Sequence, residues 1–234
     1  MFLFYTPTNT DGSLLLAEDE LRHAVKTLRK RSGDEIWSTD GQGNKYRSRI
    51  TDMTKSSATL LILDQEKVLS PSPQLHMAIA LTKNASRIEW FLEKATEIGV
   101  QQITPIVTAR TEKRTMKQGR AEKIIVSAMK QSLRYYLPQL ADPTDLKTFM
   151  ERESKSSNDK FVGHYQEDNL QLTKSLKAGV NSTIMIGPEG DFTDDEIELV
   201  TQAGFTSINL GNHRLRTETA GITACHTFNI VNNG

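Results

Sequence analysis

Cysteine is nearly absent: Cys225 is the only one in 234 residues. Neither an internal disulfide nor a Cys-based zinc cluster can therefore form. No apolar run approaches the roughly 18 residues that a bilayer-spanning helix needs. The first ten residues, MFLFYTPTNT, have no basic n-region and no cleavage-site pattern, so they do not read as a signal peptide. These absences set the expectation of a soluble, cytoplasmic protein with no membrane partner. Net charge is missing too, since 29 Lys and Arg balance 29 Asp and Glu. That balance argues against a highly basic nucleic-acid binder. Internal repeats are also lacking.

The charge is unevenly spread. Residues 1–81 carry 10 basic against 10 acidic side chains, residues 82–134 carry 11 against 5, and residues 135–234 carry 8 against 14. The middle segment is therefore +6, by 11 minus 5. It could follow a phosphate backbone, or it could be a solvated helix face balanced by acidic neighbours.

Two prolines and two serines in Leu69–Pro73 (LSPSP) divide the chain, with domains expected over 1–70 and 74–234. Upstream lie short strand-like runs, Ile36–Thr39, Tyr46–Ile50 and Ala58–Leu63, preceded by an amphipathic helix around Glu18–Arg29. Gly41 and Gly43 stand between the first two runs, as a hairpin requires. Small strands without a long apolar helix point to a compact barrel-like domain. Downstream, strands and helices alternate. Leu75–Leu81 reads as a buried strand, and Ser86–Ile98 places Ile88, Phe91, Leu92, Ala95 and Ile98 on one helical face. Strand-like Ile103–Val107, a charged helix over Lys117–Arg134, and strands at Phe161–His164 and Thr183–Ile186 follow. Thr193 through Glu196 forms a capping box, and Gly204 ends that helix. Phe205–Leu210 is the next strand and Glu218–Val231 the last helix. The alternation predicts an α/β domain with a mostly parallel sheet. Trp37 and Trp90 read most simply as core residues.

Two strand-to-helix loops carry the chemistry. The first, Ile186–Phe192 (IGPEGDF), sits where open α/β sheets bind ligands. It has neither a dinucleotide fingerprint nor a P-loop spacing, which disfavours a phosphate cradle. A tight Gly-Pro turn can also be no more than a turn. The second, Leu210–Ala220 (LGNHRLRTETA), should face it. Thr217 or Thr219 could cap the last helix. Arg216 stands where the helix end disfavours a cation, so it needs an anionic or electron-rich partner. Glu218 or Glu189 in a salt bridge would also answer that need.

Together, Ile186–Phe192 and Leu210–Ala220 closely resemble the RsmE family of 16S rRNA uridine N3-methyltransferases, in the knotted SPOUT superfamily. The family pattern is Ile-Gly-Pro-Glu-Gly-Gly-Phe followed by Leu-Gly-x-Arg-Ile-Leu-Arg-x-Glu-Thr-Ala. Further blocks match at Lys83, at Arg87 through Val100, at Gln131-Ser132 with Arg134 and Pro138, and more weakly at His23 through Arg29 and Gly33-Asp34. Two positions depart: Asp191 replaces the second family glycine, and His213-Arg214 stands where the family has Arg-Ile.

The resemblance implies an N-terminal PUA-like RNA-binding β-barrel, a C-terminal trefoil-knotted α/β domain, and a homodimer. It implies S-adenosylmethionine as cofactor, no metal, and 16S rRNA of the small ribosomal subunit as partner. Cofactor-binding residues carried over are Leu81, Thr82, Ile186, Gly187, Pro188, Glu189, Gly190, Leu210, Gly211, Leu215, Arg216 and Thr217. Arg216 is the candidate for stabilising charge on the base. Glu218 is the candidate proton acceptor, or the group that orients Arg216. RNA contacts are expected at Arg22, Lys26, Arg29, Lys30 and Arg31, with Arg22, Lys26 and Arg29 on one helical face. Arg134 could position rRNA or stabilise the dimer. Two alternatives remain at this point: ribose 2′-O-methylation of tRNA or rRNA, and a non-catalytic RNA-binding assembly factor.

Overall fold

The computed structural model describes residues 2–7, 9–10, 13–164 and 170–233. The chain forms two compact units, Met1–Ser70 with Val126–Leu137, and Pro71–Ile125 with Pro138–Gly234. The chain passes from one to the other within LSPSP, crosses back after Ile125 inside a helix, where no composition change marks it, and crosses a third time between Leu137 and Pro138.

The first unit is a six-stranded sheet in the order β1-β4-β5-β6-β3-β2. Its strands are β1 (Leu3–Tyr5), β2 (Asn9–Thr10), β3 (Ser13–Ala17), β4 (Glu35–Thr39), β5 (Asn44–Met53) and β6 (Ser57–Lys67). Only the β1–β4 pair is parallel. Alternation places Tyr46, Ser48 and Ile50 inward, while Arg47 and Arg49 reach Glu35 at 3.8 and 3.1 Å. Phe4, Leu14, Leu16, Ile36, Tyr46, Ile50 and Leu60 fill the core. Gly41 and Gly43 turn β4 into β5 with φ of 74° and 90°. The expected helix is shorter than its pattern. Helix α1 (Glu18–Arg22) widens into a π-helical turn at His23–Thr27, and Arg29 lies beyond it with φ of 55°.

The second unit holds an eight-stranded sheet in the order β10-β8-β7-β13-β11-β14-β12, with β9 on β8. Every pairing in it is parallel. The elements run β7 (Leu75–Ala80), α2 (Ala85–Ile98), β8 (Gln102–Val107), α3 (Gln118–Gln131), β9 (Gln139–Leu140), β10 (Thr144–Asp145), α4 (Leu146–Glu153) and β11 (Asp159–Gly163). They continue with β12 (Leu170–Gln171), α5 (Leu172–Ser175), β13 (Ser182–Ile186), α6 (Asp194–Gln202), β14 (Thr206–Asn209) and α7 (Thr217–Asn233). Strands β7 and β13 are buried at every position, because helices cover both faces of a parallel sheet. Ala78, Ala80, Phe149, Met150, Val162, Met185, Phe192 and Val200 form the core beneath α4 and α6. On the other face α2 and α7 pack together, and α7 lies on β7 and β13. Ile88, Phe91, Leu92 and Ala95 are buried as the helical pattern requires, but Trp90 is 43% exposed and is not a core residue. The capping box at Thr193 and Glu196 forms as read from the sequence.

A polar cluster is buried at the N-terminal ends of the strands. Glu153 accepts from Thr183 Oγ1 at 2.6 Å and lies 3.6 Å from His76 Nδ1, while His76 Nε2 meets Thr104 Oγ1 at 2.8 Å. Burial opposes ionisation of Glu153, but the hydrogen bonds from His76 and Thr183 outweigh it and hold the carboxyl below its ordinary range. A depressed folded value stabilises the protein above the unfolded value, and that contribution is lost as pH falls through the folded value. Glu153→Gln should lower stability at neutral pH by about 1–3 kcal/mol. It should also flatten the acid limb of a denaturation-midpoint-versus-pH curve.

Helix α7 approaches closely at Gly221, where an added Cβ would sit 2.6 Å from the Phe91 ring and 2.9 Å from Ile79 Cδ1. Alanine would gain about 0.5–1 kcal/mol of helix propensity but meet an overpacking cost of about 1–3 kcal/mol. Gly221→Ala should therefore destabilise, and Gly221→Val more so, as read by urea midpoints.

Candidate active site

Two loops meet at the C-terminal edge of the parallel sheet, with strand β11 between the strands that carry them. The first leaves β13 at Ile186 and closes where Asp191 N donates to Pro188 O at 2.9 Å. Asp191 has φ of 62°, which explains the glycine in the family pattern: the turn needs left-handed backbone. Asp is among the few side chains that tolerate it. Here its Oδ1 accepts from Phe192 N at 2.8 Å and lies 3.2 Å from His164 Nδ1. The substitution keeps the turn and adds a carboxylate. Arg110 clamps the same loop by donating from Nη1 to Gly190 O at 2.7 Å and Phe192 O at 3.3 Å.

The second loop leaves β14 and enters α7 at Thr217. Thr217 lies inside the helix, and its buried hydroxyl donates to Gly187 O at 3.0 Å instead of capping. That bond ties the two loops together. Arg87 of α2 approaches a carboxylate from each loop, with Nη1 3.6 Å from Glu189 Oε1 and Nε 3.8 Å from Glu218 Oε1. Neither carboxylate pairs with Arg216, which is exposed and has no ion pair among the described residues. Glu218 is buried, and its Oε2 has no hydrogen-bond partner among the described residues. The expectation that Glu218 orients Arg216 is thus not met, because Arg87 competes for the carboxylate from the neighbouring helix.

Between the loops lies a cavity of about 310 Å³, within the size range of small-molecule sites. Of the sequence-predicted residues it gathers Ile186, Gly187, Pro188, Glu189, Leu215, Arg216 and Thr217. Four more, missed by sequence reasoning, join them: Gly163, Asp191, Arg214 and Ala220. Gly163 could not be found from any motif, since it enters only because β11 runs between β13 and β14. Leu210 stands behind it, 3.7 Å from where a Cβ at Gly163 would lie. Gly190 packs on Arg110, and Gly211 turns the second loop with φ of 131°, both outside the lining. Leu81 and Thr82 open onto a different recess. Arg214, the displaced family cation, reaches Glu189 O at 3.4 Å.

The N-terminal basic residues are only partly brought together. Arg22 and Lys26 share a groove of about 540 Å³ with Lys55, Val25 and Met53. Arg22 also pairs with Asp19 at 3.4 Å. Arg29 leaves the helical face expected for it, because the helix ends at Thr27. Lys30 donates to Glu35 O at 3.1 Å, and the Arg31 backbone N–H to Asp34 at 2.8 Å. Arg134 is half-buried, and that burial pushes its guanidinium below the ordinary value.

The fold and the paired loops define an RNA methyltransferase. The RNA methyltransferase domain family matches residues 70–229, and the RNA methyltransferase PUA domain matches residues 16–63. A Rickettsia conorii protein, ribosomal RNA small subunit methyltransferase E, is 31% identical over 92% of this chain and 88% of its own length. A crystal structure of a probable rRNA methyltransferase from Porphyromonas gingivalis superposes with TM-score 0.91 and 34% identity, covering 99% of this chain and 98% of that one. The Neisseria gonorrhoeae ribosomal RNA small subunit methyltransferase E, solved bound to S-adenosyl methionine, gives TM-score 0.85 and 27% identity over 99% and 98%. The chain belongs to the RsmE family of RNA methyltransferases, with the SPOUT fold and a PUA-type N-terminal domain.

Asp191 offers a test of the first loop. Asp191→Ala loses both side-chain contacts yet keeps the left-handed strain, for about 1–3 kcal/mol of destabilisation. Asp191→Gly loses the contacts but relieves the strain. Thermal unfolding should therefore rank wild type first, then Gly, then Ala.

Proposed function

We propose that this enzyme transfers a methyl group from S-adenosylmethionine to N3 of a uridine in 16S rRNA of the small ribosomal subunit. The observation that carries the reading is the loop pair itself: one cavity, closed by Thr217 on Gly187, with Arg216, which has no ion pair among the described residues, at its rim. The residues present suit the cofactor. Ile186, Leu215 and Ala220 offer apolar wall for a purine, and Gly163 and Gly187 leave backbone accessible. Glu189 and Asp191 suit hydroxyl or ammonium groups, and Arg214 suits a carboxylate. When bound, the cofactor supplies an electrophilic methyl on a sulfonium.

The protein's part is positioning and charge stabilisation. Uridine N3 reacts as the anion left when its proton passes to solvent water, and the charge spreads to the base oxygens. Arg216 stabilises that charge, since no carboxylate among the described residues neutralises it first. Glu218 lies outside the cavity lining and against Arg87. It is a positioning residue for the first turn of α7, not the proton acceptor. Arg22, Lys26 and the residues Arg29–Arg31 carry the RNA in the N-terminal domain, where Lys55 adds a third cation to the groove. A homodimer through α2 and α7 is supported by their outward apolar side chains, Trp90 at 43% and Ile230 at 55% exposure. The reaction would run in the cytoplasm. Among the described residues no helix is long and apolar enough to cross a membrane, and no acidic, His or Cys group forms a metal site.

Small subunits from cells lacking the gene, incubated with labelled cofactor and digested to nucleosides, should yield label in N3-methyluridine. Label in a 2′-O-methyl nucleoside would establish the ribose reaction instead, and cofactor binding without label would establish a non-catalytic factor. Arg216→Ala should cut turnover by about 10²–10³-fold while cofactor affinity stays within a few-fold. Equal losses in both would overturn the role of Arg216.

A further inference from the structure

No residue of the basic segment over residues 82–134 lines the cofactor cavity, although Arg87 and Arg110 brace its loops. The segment contributes instead to a second recess, about 300 Å³, on the same unit. Leu81 and Thr82, just beyond β7, open into it, which is why they are absent from the first cavity. Ile88, Met116 and Ala121 complete an apolar wall with Leu81. Its rim carries Lys113, Lys117 and Arg120 against the single carboxylate of Glu89. Arg120 grips Glu89 through two hydrogen bonds of 2.5 and 2.7 Å. That grip, against a smaller burial penalty, holds the Glu89 carboxyl below its ordinary range. Arg120 is the main partner of that carboxylate, with weaker attraction from Lys113 and Lys117, so three cations against one anion leave the rim at +2, and neither lysine forms an ion pair among the described residues. Lys83, whose ammonium is occupied by Glu112 at 2.9 Å, donates its backbone N–H to Glu189 Oε1 at 3.4 Å. Glu189 lines the first cavity and Lys83 directly follows Thr82 of the second, so this hydrogen bond links the loops that edge the two recesses.

We infer that this recess receives a phosphate-linked nucleotide of the substrate RNA close along the chain to the one being methylated. Lys113 and Lys117 take the phosphate, and the Leu81–Ile88–Met116–Ala121 wall takes a base or sugar face. An apolar wall beside unpaired cations is the chemistry by which single-stranded nucleic acid is held. The inference rests on the proposed RNA methylation and adds a subsite on the methyltransferase domain, apart from the N-terminal basic residues.

The test compares wild type with Lys113→Ala/Lys117→Ala, and with Lys113→Arg/Lys117→Arg, on a labelled single-stranded RNA containing the methylated uridine. The alanine pair should raise the RNA Kd about 10-fold and reduce the log–log salt slope by about 1.4, two single-strand phosphate contacts' worth. The arginine pair should restore both, and cofactor affinity and melting temperature should match wild type throughout. An unchanged Kd and slope, with wild type still methylating the RNA, would overturn the subsite and leave the function standing. Wild type that methylates neither this RNA nor small ribosomal subunits would overturn the function itself. Loss of affinity only where the dimer also dissociates in sedimentation, or equal competition by free uridine monophosphate, would likewise overturn the assignment to chain RNA.

Discussion

Helix α7 can lie against the sheet only where residue 221 has no side chain, since any Cβ there would press on Phe91 and Ile79. Because α2 and β7 are themselves buried and close-packed, that contact sets the height of the helix over the sheet. The height in turn sets the position of the first turn. Thr217 then reaches the carbonyl of Gly187, Glu218 reaches Arg87, and Arg216 is left at the rim of the cavity. A packing constraint five residues into the helix thus becomes the placement of the residue proposed to act on the base. The polar cluster around Glu153 lies at the opposite end of the strands, away from both loops.

Much of this was legible in the chain. The apolar period of Ile88, Phe91, Leu92 and Ala95 and the continuous run at Leu75–Leu81 yield α2 and β7 within a residue, because burial on one face or two leaves a direct mark on composition. The capping box at Thr193 is equally local. The short strands β9, β10 and β12 left no such mark, since two residues carry no period. The knot was accessible only through the family resemblance, as threaded chains are exceptional.

The site was half legible for the same reason. Gly187, Glu189, Leu215 and Arg216 belong to contiguous motifs and were found. Gly163 and Arg87 come from elements brought alongside by strand order and helix packing; Arg87 opens a family-like block, but its position between Glu189 and Glu218 is visible only in the fold. Leu81 and Thr82 were carried over by position and open elsewhere, which a linear motif cannot distinguish. The charge count found the basic segment but could not tell a solvated face from a lined recess. Only the pairing of Glu89 with Arg120 shows which cations are spent. Asp191 read as a departure until its backbone angle showed that the turn asks for left-handed geometry, not for glycine as such.

Arg87 holds a carboxylate from each loop, and this single side chain makes the two loops thermodynamically dependent. Any ligand that draws Glu189 away leaves the guanidinium to Glu218 and so tightens its hold on the start of α7. Linkage is reciprocal: whatever the first ligand does for the affinity of the second, the second returns in equal measure. Cofactor and RNA would then not be independent guests, and their mutual affinity would be set in part by one arginine on α2.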